Sequence, residues 1–136
     1  AALQIVDRDP DGFFLLLESE DTDDLAHSNQ PIDRLTAGIR ELDATIAVAL
    51  EYQKRHAETL IVVVGDHETG GMTLQVRRDS SAVAAYTTTG HSAVAVPVFA
   101  GGPGAQRFGR WLGNDELGAL LFQAVGGSPG RLNRAP

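Results

Sequence analysis

Two stretches of the chain set carboxylate and imidazole side chains at spacings suited to a divalent cation. Glu18, Asp23 and His27 follow the apolar run Phe13–Leu17, and Asp23 and His27 stand four residues apart. One helical turn puts such a pair on one face, where both can reach the same ion. Asp66 and His67 follow the apolar run Leu60–Val64 and open the string Gly65-Asp66-His67-Glu68-Thr69-Gly70-Gly71. Neighbouring side chains diverge on regular backbone, so these two share an ion only from a bent turn. His91 follows Thr87-Thr88-Thr89-Gly90, ahead of a third apolar stretch. Oxygen and nitrogen donors without sulfur suit Zn2+, and an all-oxygen site suits Mg2+. Paired divalent ions roughly 3.5–4 Å apart are a recurring device for in-line displacement at phosphorus.

Each feature alone has a plainer reading. An Asp–His pair at helical spacing is commonly a solvated face, Glu18 could serve a helix N-terminus, and His91 could be a turn residue. His56, beside Arg55, is read as favourable to a helix end and nothing more. Asp66 is different, because a carboxylate after five apolar residues is expected to be partly buried and to need a partner or a cation. The run Glu18–Asp24 holds five carboxylates in seven residues with no base among them. Three acid or histidine sites beside three apolar runs favour a multi-metal centre.

These residues need elements to hold them. Ala2–Val6 reads as the last turn of a helix, and Asp9-Pro10-Asp11-Gly12 as a turn. Phe13–Leu17 is predicted to be a buried strand. From Pro31 to Arg55, Leu35, Ile39, Leu42, Ile46, Ala49 and Gln53 step by three or four, which predicts a long amphipathic helix. Leu60–Val64, with four β-branched residues in five, is expected to be a central strand buried on both faces. Met72–Arg77 reads as a further strand, Arg78–Ala82 as a polar turn, and Val94–Phe99 as an edge or bulged strand because it carries Pro97. Gly101–Gly104 reads as a loop, Glu116–Val125 as a short helix, and residues 128–136 as a frayed tail. Strand–helix–strand order predicts an α/β fold with a partly parallel sheet flanked by helices.

Composition narrows the classes further. The 136 residues carry 11 basic and 18 acidic side chains, a formal charge of −7, with 43% hydrophobic residues and no cysteine. A core is affordable in sequence terms, while disulfides, thiolate nucleophiles and cysteine zinc sites are excluded. Scattered Lys and Arg in an acidic chain argue against nucleic acid as a partner. No apolar run reaches the ~18–20 residues of a membrane span. Ala1–Asp9 has none of the parts of a signal peptide.

Taken together, Asp9-Pro10-Asp11-Gly12-Phe13-Phe14-Leu15 leading to Glu18, then Asp23 and His27, then Gly65-Asp66-His67-Glu68-Thr69-Gly70-Gly71, then Thr89-Gly90-His91, resemble the C-terminal part of an alkaline phosphatase. The resemblance covers nearly the whole chain, and residues 1–127 would form the C-terminal portion of that three-layer domain. It implies a phosphate monoester substrate, two zinc ions, one magnesium ion and a phosphoseryl intermediate. Carried over, Asp23, His27 and His91 would hold the first zinc, Asp66 and His67 the second, and Glu18 the magnesium. The family's nucleophilic serine, its bridging aspartate and its phosphate-gripping arginine would lie upstream of Ala1. The resemblance also implies a periplasmic or secreted protein, and a homodimer or association with the missing N-terminal part.

Asp79-Ser80-Ser81-Ala82 superficially resembles the family's nucleophile motif, but it falls between the metal-ligand segments, in a polar turn with no strand leading in. It is read as a turn. Asp24 stands where relatives more often carry His, Lys, Thr or an aromatic residue. Alternatives that remain are a phosphodiesterase or mutase of the same superfamily, and a catalytically incomplete metal-binding fragment.

Overall fold

The computed structural model describes residues 1–126 of the chain; the expected frayed tail, 128–136, lies outside them. In chain order the elements are α1 (Ala2–Val6), α2 (Asp21–His27), α3 (Ile32–Gln53), β1 (Ile61–Val64), β2 (Glu68–Thr69), β3 (Thr73–Val76), β4 (Ala82–Ala85), β5 (His91–Ser92), β6 (Val98–Gly101) and α4 (Asn114–Ala124). A 3-10 turn, Ala105–Phe108, lies between the last two.

Pro31 starts α3 because its φ of −60° is preset while its ψ of 152° keeps it just outside the helix. Asp33 in the first turn suits the positive end of the helix. Of the expected stripe, Leu35 is buried, Leu42, Ile46, Ala49 and Gln53 are half-buried and Ile39 is exposed, while Tyr52, outside it, is buried as well. Gly38 sits where α2 crosses, and a Cβ there would lie 3.1 Å from the Cβ of Asp21. That close approach docks α2 on α3. At the other end, Gln53 donates from Nε2 to the carbonyls of Thr59 (2.8 Å) and Gly101 (2.9 Å), joining α3 to the end of β6. Gly102 turns the chain there at a φ of +105°, where a Cβ would strike the Thr59 carbonyl oxygen at 2.2 Å.

The strands depart from expectation in three ways. First, among the described residues all pairing is antiparallel: β1 with β6, β2 with β5, and β3 with β4. No parallel pair is present among them: Phe13–Leu17 forms no strand, has no ladder partner and leaves Phe14, Leu16 and Leu17 exposed. Second, β1 is half-buried and not enclosed on both faces, since β6 is its one partner among the described residues. Third, the Val94–Phe99 run forms a strand only from Val98, past Pro97, and continues into Gly101, which was expected to be a loop.

β4 was not foreseen. It arises because Asp79–Ser81 reverses the chain, with Ser80 at a φ of +64° and Asp79 accepting bonds from the Ser81 amide (3.0 Å) and hydroxyl (2.7 Å). The buried apolar side chains are few: Ala26, Leu35, Tyr52, Phe108 and Leu120.

Candidate metal centre

Helix α2 delivers Asp23 and His27 as their spacing requires, with His27 Nε2 3.3 Å from Asp23 Oδ2. The antiparallel pair β2–β5 brings in the third group, because Thr69 faces His91 in its register. His91 Nε2 then lies 3.2 Å from His27 Nε2 and 3.8 Å from Asp23 Oδ1. Asp23, His27 and His91 therefore gather one carboxylate and two imidazoles at a single point.

The partners of these groups fix their chemistry. His27 Nδ1 meets the Thr89 carbonyl, which only accepts, so Nδ1 carries the proton and a neutral ring keeps its Nε2 lone pair for the cluster. Thr69, buried behind the site, donates its hydroxyl to Asp23 Oδ1. That bond holds the Asp23 carboxyl below its usual range; burial opposes the effect, and His27, His67 and His91 add to it. A carboxylate and two imidazoles meeting at one point are a donor set suited to a cation.

Two of the three separations fit zinc. A tetrahedral ion with Zn–N bonds near 2.0–2.1 Å spaces its ligand atoms about 3.3–3.4 Å apart. The His27–His91 and His27–Asp23 separations, 3.2 and 3.3 Å, match that spacing, while His91 Nε2 stands wider, 3.8 Å from Asp23 Oδ1.

The second expected pair lies alongside. His67 stacks on His91 with ring centroids 3.5 Å apart, and its Nδ1 is 3.2 Å from the Thr69 hydroxyl. Asp66 Oδ2 approaches His67 Nε2 at 3.4 Å, so the bent turn converges both side chains. The expectation of a buried Asp66 fails: its side chain is 83% exposed among the described residues, because the strand before it is open on one side. A cleft of about 270 Å3 opens beside the pair, walled in part by Val96, Arg110, Trp111 and Asn114. Asn114 donates to the Asp66 carbonyl at 3.2 Å and so anchors the turn to α4.

Glu18 is not brought into this cluster. It lies in the extended segment before α2 and faces, with Ser19, Glu20 and Asp21, a groove whose far wall is Glu41, Leu42 and Thr45 of α3. Among the described residues it makes no hydrogen bond or ion pair, and the carboxylate run stays open to solvent as its charge demands.

Two supporting residues escaped sequence reasoning, Thr69 and Glu68. The Glu68 carboxylate accepts from the Ser92 hydroxyl, the Met72 amide (3.0 Å) and the Gly71 amide (3.1 Å), bonds that hold it below the usual carboxylate range. Both sit in the string after His67, and the signal was there: two polar residues placed between apolar strand and double glycine. Gly70, at a φ of +90°, lets that string turn back, with its amide on the Gly90 carbonyl (2.9 Å) ahead of His91. His56, by contrast, stacks flat on Tyr52 at 4.0 Å and takes no part.

An α/β scaffold carrying a candidate carboxylate–imidazole cation site beside an open cleft is the class that fold and site define. Comparison with known proteins makes the class specific. The family model for alkaline phosphatase matches residues 1–85. The streptomycin-6-phosphate phosphatase of Streptomyces griseus is 30% identical over 134 residues, an alignment covering 85% of this chain and 30% of that protein. Alkaline phosphatase 4 of Bacillus subtilis is 28% identical over 74 residues, 54% of this chain and 16% of its own length. Among solved structures, alkaline phosphatase from the Antarctic bacterium TAB5 superposes with a TM-score of 0.77 at 32% identity, covering 92% of this chain and 38% of that one. A variant of that enzyme, described with magnesium bound in its M3 site, gives 0.76 at 31% identity, covering 94% and 40%. The chain belongs to the alkaline phosphatase family, and it spans well under half the length of each of these relatives.

Proposed function

We propose that the protein hydrolyses phosphate monoesters with metal ions, and that these 136 residues form the C-terminal, ligand-bearing portion of its catalytic domain. Residues 1–127 belong to that portion in this reading, and the rest of a parallel-containing three-layer sheet comes from elsewhere in the protein. Asp23, His27 and His91 hold the first zinc, Asp66 and His67 contribute to the second, and Glu18 is the magnesium ligand. The observation that carries the reading is the convergence of Asp23, His27 and His91, whose donor atoms lie within 4.8 Å of one another.

Bound divalent ions in such a site supply Lewis-acid charge to phosphoryl and leaving-group oxygens. The chain's own residues do the rest. Asp23 supplies the permanent negative charge, kept ionised by Thr69, and the Thr89 carbonyl orients His27. The exposed Asp66 and the adjoining cleft leave room for a phosphate ester and for the group that attacks it. Ser80 and Ser81 are not assigned that role: both lie in the turn joining β3 to β4, where the Ser81 hydroxyl donates to Asp79. The nucleophilic serine is supplied by a segment outside these residues, and the protein works beyond the cytoplasmic membrane as either a periplasmic or a secreted enzyme.

The test is hydrolysis by the full-length protein, with zinc and magnesium, of an aryl phosphate monoester against the matching diester. Monoester turnover is expected, and its loss in Asp23→Asn and His91→Ala. Preferential diester turnover would move the protein to a phosphodiesterase reading. No turnover with either, alongside intact zinc binding, would leave a metal-binding protein without catalysis.

A further inference from the structure

Glu68 lies outside the proposed ligand set, yet its carboxylate gathers three donors from two separate segments. Oε2 takes the Gly71 amide (3.1 Å) and the Ser92 hydroxyl, and Oε1 takes the Met72 amide (3.0 Å). Gly71 and Met72 belong to the turn leaving β2, whereas Ser92 directly follows His91 in β5. The β2–β5 ladder is only two residues long on each side, so main-chain pairing alone holds β5 weakly. Among the described residues, the polar and stacking contacts of the His91 ring are all to Asp23, His27 and His67. The placing of that ring is therefore set by its backbone, and the Glu68–Ser92 bond is the side-chain tie that reaches it.

We propose that Glu68 is a positioning residue for the first metal ion: its carboxylate clamps β5 to the β2 turn and so sets His91 against Asp23 and His27. This rests on the assignment of those three residues as ligands. The chemistry of the clamp is specific to a carboxylate. Three donors converge on two acceptor oxygens, and an amide would turn its own NH2 donor toward one of them. Ser92 Oγ also accepts from the nearby Val94 amide (3.4 Å), but its tie to the β2 turn runs through Glu68, which predicts that the two substitutions will not add in metal binding.

Titration of the full-length protein with Co2+, followed by its visible absorption, and with Zn2+ by calorimetry, tests the clamp. Ser92→Ala and Glu68→Gln are each expected to weaken first-site binding by about 10- to 100-fold and to alter the Co2+ band. The double variant is expected to bind no more weakly than Glu68→Gln alone. Binding lost in His91→Ala but unchanged in Ser92→Ala and Glu68→Gln, even with a lower metal-free melting temperature, overturns the clamp while leaving the ligand assignment standing. Equal binding by the parent and His91→Ala overturns the ligand assignment and the clamp with it. Should Glu68→Gln fail to fold, Ser92→Ala decides alone, since it removes one surface hydroxyl, and unchanged affinity in it overturns the proposal.

Discussion

The chemistry of Asp23 depends on one hydroxyl. Thr69 is buried and donates to it, and this bond is the largest cause of the lowered carboxyl pKa. Thr69→Val keeps the shape and removes the donor. A carboxylate whose pKa falls on folding contributes stability that is present above its unfolded value, here 3.8, and is lost as the pH drops through the folded value. Metal-free parent protein is therefore expected to lose stability more steeply than Thr69→Val on acidification through that range. At neutral pH the variant is expected to be less stable by about 1 kcal/mol, the low side for a bond to a charged group because Asp23 is 37% exposed. Thermal melts from neutral into acid pH check both, and parallel profiles would rule the hydroxyl out. Asp23 and His27 were legible in the sequence because a four-residue step has one meaning on a helix. Thr69 was not, since a hydroxyl's role depends on which carboxylate the fold sets 46 residues away beside it.

Elements carry the site by how closely they pack. Gly38 lets α2 settle on α3, so a larger side chain there must lift α2 together with Asp23 and His27. Gly38→Leu is expected to weaken zinc binding without touching a ligand, and calorimetry checks it. Unaltered affinity would mean that α2 is held by its contacts to β2 instead. At the far end of α3, the Tyr52 hydroxyl bonds the Asp7 carboxylate, which with burial pushes the phenol up to about 12. A pKa raised on folding gives stability that is whole below the unfolded value of 10.0 and is lost as pH rises through about 12. Tyr52→Phe is expected to be less stable at neutral pH and to lack the parent's extra loss of stability in alkali, as melts across that window would record. The long helix was readable from its 3.6-residue period, which needs nothing but its own sequence. Phe13–Leu17 was misread because strand identity requires a partner, and apolar content says only that the segment wants cover. β4 was missed for the converse reason: Ala82–Ala85 has little strand preference of its own and pairs because the turn at Ser80 forces it.

At the scale of the molecule, apolar surface is left uncovered. Trp111 is 85% exposed, and Phe14, Leu16 and Phe99 are open as well. Prepared as these 136 residues, the chain is expected to bind the dye ANS and to aggregate, and the full-length protein not to bind the dye. Equal dye binding by both would count against the uncovered faces being internal to a larger domain. The same thin core gives the ligand geometry a second consequence. His27 and His91 are 64 residues apart in sequence, yet their nitrogens nearly touch. An ion held by both, as proposed, would cross-link the chain much as a disulfide does in proteins that have cysteine, and closing a loop of that length would be worth about 4 kcal/mol in chain entropy. Adding EDTA should then do more than empty a site: it should lower the melting midpoint and speed unfolding, because the intervening hairpin and strand can separate only once the staple is withdrawn.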